Sequence, residues 1–213
     1  MTPDDVQAKE RYMKDYFDAL DLRIRFTSEL KAGGHRHEAM LLCCCYIEGI
    51  ANHLARNGDS SAKNFCEVLT QYGGEPVFQL VFPQRALEHF PWKSASPALV
   101  SSLRAALESL PSQEAFTLEE VIRRLQPSIA AEAIGFLRSE GWRATAAFVV
   151  YERIRSRLVH WLSSADYFTF PTTLYQGARI PDIGFQMLHD ALSSIANHVR
   201  RESFESGEWF GRA

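Results

Sequence analysis

The sequence predicts an all-α fold: a helical bundle that carries a small helical insert. Three observations predict it. Long runs place apolar residues at steps of three, four and seven; one run is apolar on every side; and Gly, Pro and Asn-Gly breaks fall between these runs.

Val6, Met13, Phe17, Leu20, Ile24 and Leu30 mark an amphipathic helix over about residues 3–31, which Gly33-Gly34 ends. The next run, His37 to Arg56, reads HEAMLLCCCYIEGIANHLAR. From Ala39 to Ala51 it is apolar all round except for Glu48, the pattern of a central, buried helix. Asn57-Gly58 stops it. Asp59 or Ser60 can cap a short third helix that reaches about Gln71, and Gly73-Gly74-Glu75-Pro76 then breaks the chain.

Residues 77–141 are choppier. Pro83, Pro91, Pro97, Pro111 and Pro127 divide them into short helices, among them Ala98–Leu110, Leu118–Leu125 and one that ends near Ser139-Glu140-Gly141. The segment reads as a small insert, not a second large domain. The division is therefore 1–76 for the first helices of the bundle, 77–141 for the insert, 142–206 for the closing helices and 207–213 for a tail.

Trp142 to Leu162, WRATAAFVVYERIRSRLVHWL, reads as one strong helix. The aromatic loop DYFTFPTTLYQGAR follows, with short β-prone runs that suit a small hairpin. Pro181 suits the first turn of a last helix. Ile183, Met187, Leu188, Ala191, Leu192, Ile195 and Val199 form its apolar stripe, and Arg200-Arg201 favour its C-terminal end. After Ser206 the tail reads as loose, with Trp209-Phe210 able to dock on the surface.

Composition limits the function classes. Apolar residues make up 46% and charged residues 23%, which fits a folded globular chain and not a disordered one. The net charge of −3 argues against a general nucleic-acid coat, so any RNA contact requires a local basic patch. Cys43, Cys44, Cys45 and Cys66 lack zinc-ligand spacing and read as small buried hydrophobes in a reducing compartment. The start, MTPDDVQAKERY, has no apolar signal-peptide region, and no run reaches the ~18–20 apolar residues of a membrane span. A soluble, cytoplasmic protein with no membrane partner is expected. No P-loop, dinucleotide fingerprint, nucleophile elbow or H-E-x-x-H is present.

The chemistry concentrates in Tyr151 to Trp161, YERIRSRLVHW, where three arginines and a histidine fall within eight residues. At about 100° per residue, Ala147, Tyr151, Ile154, Leu158 and Trp161 face the core, while Arg153, Arg157 and His160 share the opposite face. Arg155 lies on the flank and is partly buried. A buried guanidinium needs a partner, and Glu48 on the buried second helix needs one too. Glu48 then meets Arg155 or Arg157; alternatively Glu48 reaches a cleft and Arg155 extends its head to water.

Arg155-Ser156-Arg157-Leu158-Val159-His160 resembles the R-x(4–6)-H signature of the HEPN superfamily, named for higher eukaryotes and prokaryotes nucleotide-binding domains. The buried helix EAMLLCCCYIEGIANHL resembles that family's central helix, and a long amphipathic helix closes the chain as it does there. The resemblance covers about residues 35–57 and 142–204 and leaves the insert unassigned. Ser156 stands where active members often carry Asn, Asp or His.

The resemblance implies a metal-independent endoribonuclease, acting as a toxin or defence effector, with no cofactor and no metal. RNA supplies its own nucleophile, the 2′-OH. His160 would move protons, and Arg155 would stabilise the developing negative charge. Arg153 and Arg157 would hold flanking phosphates, with Glu48 and Ser156 in support. In the family the site is composite, so a two-fold homodimer is implied, with RNA as substrate and an antitoxin or regulatory protein as a possible partner. The competing readings are a non-catalytic HEPN module that binds RNA or a protein, and a structural dimerisation domain.

Other candidates are weaker. His35, His37 and Glu38 stand at a helix start with no second ligand motif, the pattern of a solvated helix end. His53, His89, His189 and His198 are scattered. Tyr167, Phe168, Phe170 and Tyr175 can stack on unpaired bases or cover the edge of a core.

Overall fold

The structure is a computed structural model, and it describes residues 3–55, 60–156, 167–170 and 172–209. It is mostly helical, as the periodicities predict. Helix α1 spans Pro3–Ala32 and buries Met13, Phe17, Leu20 and Ile24 along one face. Its end is a Schellman cap. Gly34 adopts φ 89°, the His35 N–H donates to the Leu30 carbonyl at 2.9 Å, and the Gly34 N–H donates to Lys31 at 3.2 Å. Helix α2, Arg36–Leu54, buries Met40, Cys43, Cys44, Ile47 and Ile50. Helix α3, Ser61–Tyr72, is capped by Ser60, whose hydroxyl accepts from the Lys63 N–H at 3.3 Å.

The last helix, here α9, spans Phe185–Ser206. It starts later than Pro181 suggests and runs past Arg200-Arg201. The late start has a physical cause: Ile183–Gly184 is an extended strand, β6, paired antiparallel with Tyr167–Phe168, β3, and Ile183 is fully buried there. Arg200 lies inside the helix, not at its end, and its guanidinium donates to Asp21 of α1 at 2.6 Å. Helix α2 packs against α1, α3 and α9, so the run without a polar face is the centre of the bundle.

Residues 81–144 supply a second apolar cluster, while Val77, Phe78, Leu80, Phe82 and Ala115 join the main one. A 3-10 turn, Pro76–Gln79, leads to β1, Leu80–Val81, which pairs antiparallel with β2, Phe116–Thr117. Between them lie α4, Pro83–His89, and α5, Pro97–Glu108; after them come α6, Leu118–Leu125, and α7, Ala131–Glu140. Prolines here start helices as well as divide them, because the first helical position needs no N–H. Helix α6 carries a full capping box between Thr117 and Glu120. Phe90, Leu103, Leu107, Phe116, Val121 and Leu137 fill the second cluster.

The helix expected over 142–162 is broken up. Gly141–Ala144 is a 3-10 turn, and α8 covers only Ala146–Val149. The Thr145 hydroxyl accepts from the Phe148 N–H at 3.2 Å, which makes Thr145 an N-cap rather than an interior residue. From Val150 to Ser156 the helix widens into a π-helical turn. The expected remainder, Arg157 to Leu162, lies outside the described residues.

The expected hairpin forms as β4, Leu174–Tyr175, with β5, Ala178–Arg179. Gln176 and Gly177 between them both have positive φ, as a type I′ turn requires. In the tail, Trp209 docks on α1, 4.6 Å from the Tyr16 ring and 5.3 Å from Tyr12; Phe210 lies outside the described residues.

Candidate functional site

The described part of the site is built on the π-helical turn. Ile154 and Val150 enter the core and anchor the turn. That leaves Arg155 on the flank, where it meets α2. The Arg155 Nε–H donates to Glu48 Oε2 at 2.9 Å, and one terminal nitrogen lies 2.9 Å from the same oxygen. Of the alternatives open in the sequence, the structure contains the Glu48–Arg155 pair. Neither side chain is sealed: Glu48 keeps 11% and Arg155 23% of its exposure, so the pair sits at the rim of the bundle.

Tyr151 lies one turn earlier, with its ring 5.4 Å below the Arg155 guanidinium. Burial opposes the charge on Arg155. The hydrogen bond and attraction from Glu48 outweigh it, and the guanidinium pKa is raised. Tyr151 and the half-buried Cys45 are both pushed up by burial, against the pull of Arg155. Cys43, Cys44 and Cys66 are free thiols in the core, and burial drives Cys43 to about 12. They behave as small hydrophobes, as their spacing suggests.

Of the supporting residues, Ser156 ends the π turn and is half-buried. Arg153 turns to its neighbour, with its Nε 3.4 Å from Glu152 Oε2. Arg157 and His160 lie outside the described residues. Of the loop aromatics, Phe170 is core: it is buried and stacks on Phe82 at 4.7 Å. Tyr175 is half-buried against the main core. The side chains of Tyr167 and Phe168 lie outside what is described. His35 stands 3.8 Å from Glu38 at an exposed helix start. Among the described residues, no group of three or more metal-ligating side chains converges, and no helix is long and apolar enough to cross a membrane.

Sequence reasoning missed a second set of charges on the same turn. The Arg85 guanidinium of α4 donates to Glu152 Oε2 at 2.7 Å. His89, one turn further along α4, places Nδ1 3.9 Å from Glu152 Oε1 and its ring edge-on to Phe148 at 5.6 Å. Burial, followed by the charge of Arg85, lowers the His89 pKa against the opposing pull of Glu152 and Glu88. The one available signal was the i,i+4 spacing of Arg85 and His89 between Pro83 and Pro91; their partner is 67 residues away from Arg85 in the chain.

The chain matches no family model, and comparison with curated proteins and with solved structures gives no significant match.

Proposed function

We propose that the chain is a HEPN-type, metal-independent endoribonuclease, acting as a toxin or defence effector, whose complete site forms when two copies meet across a two-fold axis. The observation that carries this reading is the state of Arg155. Its guanidinium is fixed by a carboxylate from the central helix, stands at the rim of the bundle, and opens the R-x4-H segment. A guanidinium has five N–H donors, and Glu48 engages it through one oxygen, so donors remain for a phosphate. Fixed charge of this kind stabilises a developing phosphorane without reorganising during the reaction.

In this reading His160 takes the proton of the 2′-OH as that oxygen attacks phosphorus, the P–O5′ bond breaks, and a second copy of His160 protonates the leaving oxygen. Arg153 and Arg157 bind flanking phosphates, with Ser156 beside them. The chain would be cytoplasmic and held in check by an antitoxin or other regulatory protein. A second reading draws on Ser156, which replaces the polar residues usual after the arginine: a HEPN module that binds RNA or a protein without cleaving.

The test is direct. Purified protein is incubated with mixed RNA in EDTA, beside Arg155→Ala and His160→Ala variants. The ribonuclease reading expects cleavage by the wild type alone, ends that carry 2′,3′-cyclic phosphate, and no cut at a 2′-deoxy position. Wild-type binding without cleavage, unchanged in His160→Ala, replaces it with the non-catalytic module.

A further inference from the structure

The π turn is held from two sides by ion pairs of opposite polarity. On the bundle side the turn supplies the cation, Arg155, to the carboxylate of Glu48. On the other side the turn supplies the carboxylate, Glu152, to the cation Arg85. The two turn residues are three positions apart. In a π turn the regular i→i−4 ladder is interrupted, so the backbone fixes orientation less well and side-chain contacts count for more.

Arg85 is well placed to fix it. Its side chain keeps only 13% of its exposure, less than Arg155. Helix α4 is itself tied to the chain just before the turn: the Phe82 N–H, at its start, donates to the Ala144 carbonyl at 2.9 Å. His89 then packs on Phe148, inside α8. Arg85 is thus too enclosed to serve as a surface phosphate ligand, and its guanidinium acts on the turn through Glu152.

We propose that the 77–141 segment is a positioning platform for the Arg155 turn, with Arg85 as the positioning residue that acts through Glu152. The functional half of this inference rests on the ribonuclease reading; the structural half does not.

The experiment uses the full chain and three variants: Arg85→Met, Glu152→Gln and Arg85→Lys. Hydrogen exchange by mass spectrometry reads residues 150–156 directly. Both neutral variants should speed exchange there by about ten-fold or more while α3 and α9 stay protected, and Arg85→Lys should stay near wild type. The RNA arm uses a single-stranded oligoribonucleotide at saturation. Arg85→Met removes a positive charge and Glu152→Gln removes a negative one, so simple electrostatics would shift RNA affinity in opposite directions. Positioning predicts that both lower turnover, by about ten-fold to a hundred-fold, as small misplacements of catalytic groups do. Unchanged exchange in 150–156 overturns the proposal, and so do turnover effects of opposite sign at saturating RNA. If exchange rises but the wild type neither binds nor cuts RNA, the platform stands and the ribonuclease reading falls.

Discussion

Glu48→Ala tests the link on which the candidate site depends. At 2.9 Å and an effective dielectric of about 20, the gross attraction between Glu48 and Arg155 is roughly 6 kcal/mol. Desolvation of both groups cancels much of that, and removing one partner of a fully buried pair costs about 3–5 kcal/mol. Here the orphaned Arg155 keeps 23% of its exposure and can regain water, which brings the expected loss down to about 2–3 kcal/mol. For a chain of this size that corresponds to a drop in melting temperature of about 5–10 °C. Urea titration followed by far-ultraviolet circular dichroism measures it. In a double-mutant cycle with Arg155→Ala, the two losses should fall short of additivity by more than about 1 kcal/mol. The paired Glu48→Met and Arg155→Met substitution should lie close to wild type in stability, because no charge is left orphaned. A loss under about 1 kcal/mol for Glu48→Ala, or strict additivity, would refute the reasoning.

Three further outcomes are expected. His89 has a folded-state pKa below its ordinary 6.5, so the unfolded chain takes up the proton more readily: its contribution to stability is complete above about 6.5 and is lost as pH falls below that. Urea midpoints at pH 7.5 and 5.5 should therefore differ more for wild type than for His89→Phe, and equal differences would count against it. Gly73→Ala would place a Cβ 2.4 Å from the Leu69 carbonyl oxygen, a backbone atom that cannot swing away, and should cost about 1–3 kcal/mol in the same titration; a neutral result would mean that the α3 end relaxes freely. Trp209→Ala removes ring contacts to Tyr12 and Tyr16 and should cost about 1–2 kcal/mol, with tyrosine fluorescence reporting the uncovered Tyr16 ring. An unchanged melt would mean that the tail contributes nothing.

Where local periodicity and global packing agree, the fold was legible. The α1 stripe from Met13 to Ile24, the α2 run without a polar face and the α9 stripe from Leu188 to Val199 sit where their spacings place them, because each buries one continuous surface; Val6 is exposed, and Ile183 lies in a strand. The misses have a common cause. Thr145 and Gly184 stand inside sequences that read as helix, yet one caps a helix and the other ends a strand; both are extended where their backbones pair with a distant segment, Thr145 with Val81 and Gly184 with Tyr167. The β1–β2 pairing was invisible for the same reason, since two-residue strands carry no alternation to read.

The site was half legible, and the π turn explains which half. A wheel drawn at the α-helical step put Ile154 in the core and Arg155 on the flank, as found. It could not choose between partners, because a wider turn rotates each later side chain by an amount the wheel does not contain. The Arg155 guanidinium stands over the Tyr151 ring four positions back and reaches Glu48 on α2. The same turn aims Glu152 at α4, a direction with no hydrophobic signature. Charges three positions apart on one turn, answered from helices of two different apolar clusters, tie the shape of the turn to both clusters. The wider turn thus depends on contacts from two parts of the chain, which is why its geometry could not be read from the local sequence that forms it.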